Sequence, residues 1–423
     1  MKLRMHFKIS TAKGAVAIAL ALAIALASSP AGAQMPGPAA PGPVVDLPPE
    51  HDMPSTALPR ETPIENPLGG APALTGTAVG GYGELTLNAP SNAPAVVDLR
   101  RFVLFVGHNF TDRIRFYSEV EVEHAVSSAG DAGEVEIEQA YVDGLVSRRL
   151  NLRAGLIIMP VGIINVYHEP PTFNGVDRPE VDTLIIPSTW REPGFGVFGE
   201  LTTGLSYQLY LVNGLDANGF TADAGVADGH QEAMLAAARD FGAVGRLSYE
   251  PMLATILGVS GYYATSGNTL RSTVGNVPVG LFEVDARTRY RGFSARAELA
   301  LLFIGDTAAL NVALAGKVPP TTSLPVAKRS QGGYLEAAYD LMRLIAPSTD
   351  QSVTVFGRYD YANTQASVAG GLTPDQTLIR HVLTVGLVYR PIPQIALKGD
   401  YRRHWFGAGA GYNELAAALA WMF

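Results

Sequence analysis

Arg113-Ile114-Arg115-Phe116-Tyr117-Ser118-Glu119-Val120-Glu121-Val122-Glu123 alternates with a period of two. Ile114, Phe116, Val120 and Val122 fall on one face, and Arg113, Arg115, Glu119, Glu121 and Glu123 on the other. Successive side chains of an extended chain point to opposite faces, so the stretch reads as a strand with one apolar and one ionised edge. Its length, about ten residues, is that of a tilted strand crossing a bilayer.

The pattern recurs outward in both directions. Glu134-Val135-Glu136-Ile137-Glu138 repeats it. Glu283, Asp285, Arg287, Arg289 and Arg291 alternate with Val284, Ala286, Thr288 and Tyr290, and Arg296 and Glu298 with Ala295, Ala297, Leu299 and Leu301. A soluble sandwich also alternates, so the connections have to decide. Sixteen candidate strands fit between residues 77 and 423, among them 134–146, 281–291, 352–362 and a last one at 412–423. Short connections such as Ser147-Arg148, Thr203 and Gly292 mostly follow even-numbered strands, and long ones, notably 160–193, 214–240 and 304–330, mostly follow odd-numbered strands. An even strand number with short turns at one rim and long loops at the other predicts an all-β fold, a 16-stranded antiparallel transmembrane β-barrel with short periplasmic turns.

Composition agrees by exclusion. The 423 residues are 47% hydrophobic and only 17% charged, with 45 Gly, 29 Pro and no Cys. Disulfides, thiolate metal sites and thiol catalysis are thereby removed. Beyond residue 33 no apolar run approaches the ~18 residues of a spanning helix. Lys2, Arg4, Lys8 and Lys13 precede the apolar run Ala15 to Ala27, and Ala31-Gly32-Ala33 supplies small residues before Gln34, which predicts a signal peptide over 1–33. Its loss would deepen the formal net charge of −8 and argues against nucleic acid as a partner. Residues 34–75, with runs such as Met35-Pro36-Gly37-Pro38, are proline-rich and predict an extended or disordered tether before a barrel over 76–423. The chain stops on a strand with Leu415, Leu419, Trp421 and Phe423 on one face, as in the closing strand of outer-membrane barrels.

Gly80-Gly81-Tyr82-Gly83-Glu84-Leu85, Asp98-Leu99-Arg100-Arg101, the acidic Glu134 to Tyr141 stretch and Leu152-Arg153-Ala154-Gly155-Leu156 together resemble the phosphate-selective porin O/P family over most of residues 76–423. The resemblance implies a homotrimeric channel in the bacterial outer membrane, embedded in its lipid, with a third external loop folded inward and a basic ladder lining the lumen. This sequence departs from that ladder: beyond residue 33 its lysines are Lys317, Lys328 and Lys398.

The segment 160–193 occupies the position of the third loop. Its prolines stiffen it, and Ile185, Ile186 and Trp190 give it something to bury, so it is predicted to pack on the inner wall as a constriction carrying Asp177, Arg178, Trp190, Arg191 and Glu192. His168 beside Glu169 lacks further ligand spacing, so no metal is assigned, and no cofactor either. Residues 230–240, rich in Ala, Leu and Met, read as a short helix in another loop.

In the lumen, odd residues of the third strand face even residues of the fourth, and one register pairs Glu119 with Glu138, Glu121 with Glu136 and Glu123 with Glu134. Like charges directly opposite each other destabilise a sheet. Arg101, Arg113, Arg115 and Arg153 are the predicted counter-charges, Arg being suited to engage two carboxylate oxygens at once. Arg287, Arg289 and Arg296 form a basic cluster on the far side. The function that follows is passive diffusion of small ions or hydrophilic solutes through an Arg/Glu-lined pore, drawing anions if arginines dominate the narrowest point and cations if the Glu ladder does. A barrel enzyme and a sealed adhesive or structural barrel are the other classes. The chain carries no Gly-x-Ser-x-Gly, His-Glu-x-x-His or phosphate loop, and His108, His124 and His381 read as girdle or rim residues.

Overall fold

The computed structural model describes residues 76–128, 130, 132–316 and 324–423; the predicted signal peptide and tether lie outside them. The first half of the chain forms β1 (Gly76–Pro90), β2 (Val96–Asn109), β3 (Ile114–Glu123), β4 (Val135–Leu145), β5 (Asn151–Ile158), β6 (Arg191–Thr202), β7 (Leu205–Asn213) and β8 (Phe241–Met252). The second half forms β9 (Thr255–Thr265), β10 (Pro278–Tyr290), β11 (Phe293–Ile304), β12 (Arg329–Asp340), β13 (Ser352–Ser367), β14 (Ile379–Ile392), β15 (Ile395–Phe406) and β16 (Tyr412–Met422). Each strand pairs antiparallel with its chain neighbours, and β1 pairs with β16, closing a 16-stranded barrel with no sheet edge. Phe423 seals the seam by exchanging backbone hydrogen bonds with Gly81.

Alternation becomes inside and outside. Glu298 is 1% exposed while Leu299 beside it is 62% exposed, and Leu152, Phe195, Leu209, Leu301 and Leu335 repeat the outward position. Such a belt of apolar side chains around a closed sheet is the surface that acyl chains cover, which makes this an outer-membrane barrel. No helix among the described residues is long and apolar enough to cross a membrane.

At one rim the turns are tight. Tyr290 pairs with Phe293 across Arg291 and Gly292, whose φ values of 48° and 87° are the two positive angles a type I′ hairpin demands. At the other rim run the long connections, and the third of them, residues 159–190, folds into the barrel. There it buries Ile163, Ile164, Phe173, Ile185, Ile186 and Trp190. The hydrophobic core therefore sits inside the cylinder, between this loop and the wall, and each such side chain contributes roughly 1.5–3 kcal/mol when fully buried.

Three expectations need correction. Glu121 does face Glu136, and Glu123 N–H donates to the Glu134 carbonyl at 2.9 Å, but Glu119 faces Gln139 rather than Glu138. A β-bulge between Glu119 and Val120 makes Glu138 the extra residue; beyond it the inward side chains of β4 become odd-numbered, Tyr141 and Asp143. Residues 230–240 are not helical: Glu232, Ala233 and Leu235 adopt φ of 49°, 62° and 51°, which no right-handed helix accommodates. Among the described residues the longest helix in a connection is Thr307–Ala315. Finally, β13 runs to Ser367, beyond the predicted end at 362.

Candidate functional site

The third loop reaches across the lumen because its two stems are tied at the root. Asn165 donates from Nδ2 to the carbonyls of Met159 (2.8 Å) and Trp190 (3.3 Å), and its Oδ1 accepts from Trp190 N–H at 2.6 Å. Gly162, at φ 77°, lets the backbone approach β11 so closely that an added Cβ would lie 2.6 Å from Glu298 Oε1; Ile163 N–H then donates to Glu298 Oε2 at 3.1 Å. Trp190 stacks on His230 of the next external loop and meets Tyr262 edge-on.

The tip lands on the opposite wall through polar contacts. Asn174 donates to Glu336 (2.9 Å), Val176 N–H to Asp400 (2.7 Å), and Lys398 Nζ to the Gly175 carbonyl (2.8 Å) while lying over the Phe173 ring. Asp177 is held by Arg100 at 2.6 Å, by Asn88 at 3.0 Å and by Arg402. Burial alone would raise the Asp177 carboxyl, but Arg402 and Arg100 outweigh it and hold the group well below the usual carboxylate range. Asp182, in the short helix Val181–Leu184, goes the other way. Its burial dominates over the pull of Arg178 and Arg358 and lifts it from 3.8 to about 7.

On the external side of the loop a cavity of about 270 Å³ is lined by Asp177, Arg178, Glu180, Arg358, Arg402 and Glu414, among others. On the side of the short turns the wall is arginine-rich. Arg287 and Arg296 are directly opposed in the β10–β11 register, Arg289 lies two residues nearer the turn, and Arg390 sits near the end of β14 within the field of Arg289 and Arg296. Arg296 donates to the Thr172 carbonyl at 2.7 Å, Arg390 to the Pro171 carbonyl at 3.1 Å, and the Arg287 guanidinium lies 4.8 Å over the Tyr167 ring. The loop thus has a mixed-charge cavity on its external side and an arginine-rich wall on the other.

A protein of Aquifex aeolicus (strain VF5), itself uncharacterized, is 35% identical over 354 residues, which span 82% of this chain and 80% of that protein. The chain belongs to that protein's family. No protein-family profile matches the chain. The fold of this family member is shared with solved outer-membrane porins. Salmonella typhi OmpF, in complex with daunomycin, matches at TM-score 0.56 and 11% identity over 83% of this chain and 98% of OmpF. The anion-selective porin from Comamonas acidovorans matches at TM-score 0.50 and 11% identity over 82% of this chain and all of that one. At such identities the likeness is one of fold: a bacterial outer-membrane porin barrel.

Within the family member, the residues singled out from sequence are distributed unevenly. Arg101 is buried among Glu121 (3.4 Å), Glu84 and Glu138 (3.9 Å each), with Glu119 nearby. Arg153 forms two 2.8 Å hydrogen bonds with Asp143 and stacks 3.9 Å over Tyr141. Arg115 is half-buried opposite Asp143 in register. Arg113 lies instead in the turn before β3, exposed, because its backbone carbonyl and N–H are engaged by Leu145 N–H and Thr111 Oγ1. Arg178 binds Ser188 and Thr189 within the loop. Arg191 and Glu192 open β6 and meet the fourth loop and β4 rather than the loop tip: Arg191 pairs with Glu136 (2.5 Å) and Glu232 (3.2 Å), and Glu192 accepts from Gln231 N–H. His108, His124 and His381 bind Thr77, Asp98 and Tyr359 respectively.

Sequence reasoning missed Arg100, Arg358, Arg390, Lys398 and Arg402. A signal existed for two of them. Arg358-Tyr359-Asp360 and Asp400-Tyr401-Arg402 each put opposite charges two residues apart on one strand face, and both pairs bond at 2.8 Å. Arg100 carried no such signal, because a bulge opposite Glu84 and Leu85 makes it the unpaired residue and turns it inward.

Proposed function

We propose that this chain is a passive diffusion channel of the outer membrane, passing small hydrophilic solutes and ions and preferring anions. The observation that carries the reading is the unequal use of charge around the third loop. Most carboxylates near the water-facing spaces are engaged by a guanidinium: Asp177 by Arg100 and Arg402, Asp360 by Arg358, Asp400 and Glu414 by Arg402. Arg296 and Arg390, by contrast, donate to neutral backbone carbonyls, which leaves their positive charge in the field of the vestibule. The resemblance to the phosphate-selective porin O/P family names phosphate as the first anion to try, and the anion selectivity stated for the Comamonas protein supports the same sign.

In this proposal Asp177 and Arg178 at the loop tip, with Arg287, Arg289, Arg296 and Arg390 beneath it, set the narrow passage. Trp190, Arg191 and Glu192 brace the root. Arg101, Arg115, Arg153, Glu119, Glu121 and Glu136 stiffen the wall. Residues 1–33 would serve as the export signal, 34–75 as a tether, and the working unit is proposed as a homotrimer. Planar-bilayer recording of purified protein in a salt gradient tests the reading: stepwise currents with a reversal potential of anion-selective sign support it. Silence accompanied by ligand binding or hydrolysis would move the protein to the adhesive or enzymatic class.

A further inference from the structure

The sequence offered Glu169 as the acidic neighbour of His168. The groups that face the imidazole are others. His168 Nε2 lies 3.6 Å from Glu138 Oε2 and 3.8 Å from Glu119 Oε2, on strands remote from it in the chain. One ligand atom from each of the three residues fits within 4.8 Å of the other two, and all three residues are more than nine-tenths buried. His168 Nε2 and Glu119 Oε2 are both buried without a hydrogen-bond partner, and Glu138 Oε2, the carboxylate oxygen that faces the imidazole, accepts from Tyr82 O–H. Polar atoms so buried are ordinarily satisfied, and two that meet beside a third carboxylate call for a common partner.

The chemistry of that partner can be read from the surroundings. His168 Nδ1 lies 3.3 Å from the Asn165 carbonyl, which can only accept, so Nδ1 carries the proton and Nε2 presents its lone pair to the carboxylates. This is the arrangement by which a backbone carbonyl orients a metal-binding imidazole. Tyr82 O–H donates to Glu138 Oε2 at 2.9 Å and its ring meets His168 edge-on, fixing both. Charge is short as well. Arg101 is shared among Glu84, Glu121 and Glu138, Arg100 reaches Glu84 at 3.9 Å, and among the described residues Glu119 has His168 as its one ion-pair partner, with no guanidinium within 4 Å. Tetrahedral bonds of about 2.1 Å place ligand atoms roughly 3.4 Å apart, so the two histidine–carboxylate spacings need to close by only a few tenths of an ångström. Exposed Glu134, half-buried Glu123 and Glu136 and then buried Glu121 follow one another from the external rim toward the trio.

We propose that Glu119, Glu138 and His168 form a site for one divalent cation of the zinc type, which pins the stem of the third loop to the β3–β4 wall. One imidazole nitrogen with two carboxylate oxygens suits zinc and its first-row neighbours, whereas calcium and magnesium take all-oxygen sets.

The test uses the full chain, folded in detergent, stripped with chelator and titrated with zinc chloride alone. One zinc per chain is expected, with X-ray absorption showing nitrogen and oxygen ligands near 2.0–2.1 Å. His168→Ala and Glu138→Gln are expected to weaken binding by more than about tenfold, the loss produced even by changes one layer outside a metal's ligands. His108→Ala, which removes a rim imidazole, is expected to leave the stoichiometry unchanged. Should His168→Ala fail to fold, Glu119→Gln, of nearly the same shape, is read in its place. No stoichiometric zinc, binding indifferent to these substitutions, or a response to calcium alone would overturn the site. Metal content is the readout, so the result is independent of whether the barrel conducts anions.

Discussion

Two stretches of the same wall use the same alternating pattern in opposite ways. Across β1–β4 the inward charges are packed against one another: Glu84, Glu119, Glu121, Glu138 and Arg101 are each at most 7% exposed. Across β10–β14, Arg296 and Arg390 hold neutral loop carbonyls instead. In the proposed channel the first region is a brace and the second a lining. Alternation specifies only which edge turns inward; whether an inward charge meets water or another charge depends on where the third loop lies.

The largest effect should come from inverting the lining. Arg296→Glu together with Arg390→Glu is expected to reverse the ion preference, seen as a change of sign of the zero-current potential, with little change in thermal stability, since both arginines bond only one backbone carbonyl each among the described residues. Removing the partition comes next. Deleting Phe173 to Ile185 takes out the tip that joins Glu336, Asp400 and Lys398, so single-channel conductance should rise several-fold; an unchanged conductance would show that the loop does not narrow the passage.

The brace should answer in stability and not in selectivity. Arg101→Ala strips the buried carboxylates of their central counter-charge, a change that costs about 3–5 kcal/mol when one partner of a buried pair is lost. A lowered unfolding temperature with an unaltered reversal potential is the expected result in a heat-denaturation series.

The smallest effect separates the loop from both walls. Asp182 faces Arg178 on its own loop, Arg358 and Asp360 on β13, and Glu298 on β11. Its carboxyl is raised by burial from 3.8 to about 7, so the seated loop retains a proton that the released loop gives up. The contribution of this group to seating is therefore full below about pH 4, falls as pH rises through 7 and is then constant. Protease nicking of the loop should increase from pH 5 to pH 8, and Asp182→Asn should flatten that rise.

Much of the barrel was legible because membrane-length strands of period two carry their inside and outside in every residue. Phe423 and the closing strand, Glu121 opposite Glu136, and the short turn at Gly292 all follow from that rule. The bulges beside Glu84 and Glu119 did not, since an extra residue changes the pairing without changing the composition. Residues 230–240 misled because helix-forming side chains sit in a connection pinned from outside: Gln231 binds Gly214 and accepts from Ala237 N–H, Arg191 binds Glu232, and the backbone turns through positive φ at Glu232, Ala233 and Leu235. The loop's partners were least legible. Arg402 lies 225 positions from Asp177 and Lys398 223 from Gly175, and no local pattern encodes such a meeting.

The central claim is that the ionised edge of each strand meets water enclosed by the barrel while the apolar edge meets lipid. The natural chain has no cysteine, so a single introduced thiol reports on its own position. Arg296→Cys and Leu299→Cys sit three residues apart on β11, on opposite faces. A charged, water-soluble thiol reagent added to a conducting bilayer should reduce the current through the Arg296→Cys channel in steps and leave the Leu299→Cys channel unchanged; modification and block at Leu299→Cys with none at Arg296→Cys would contradict the account.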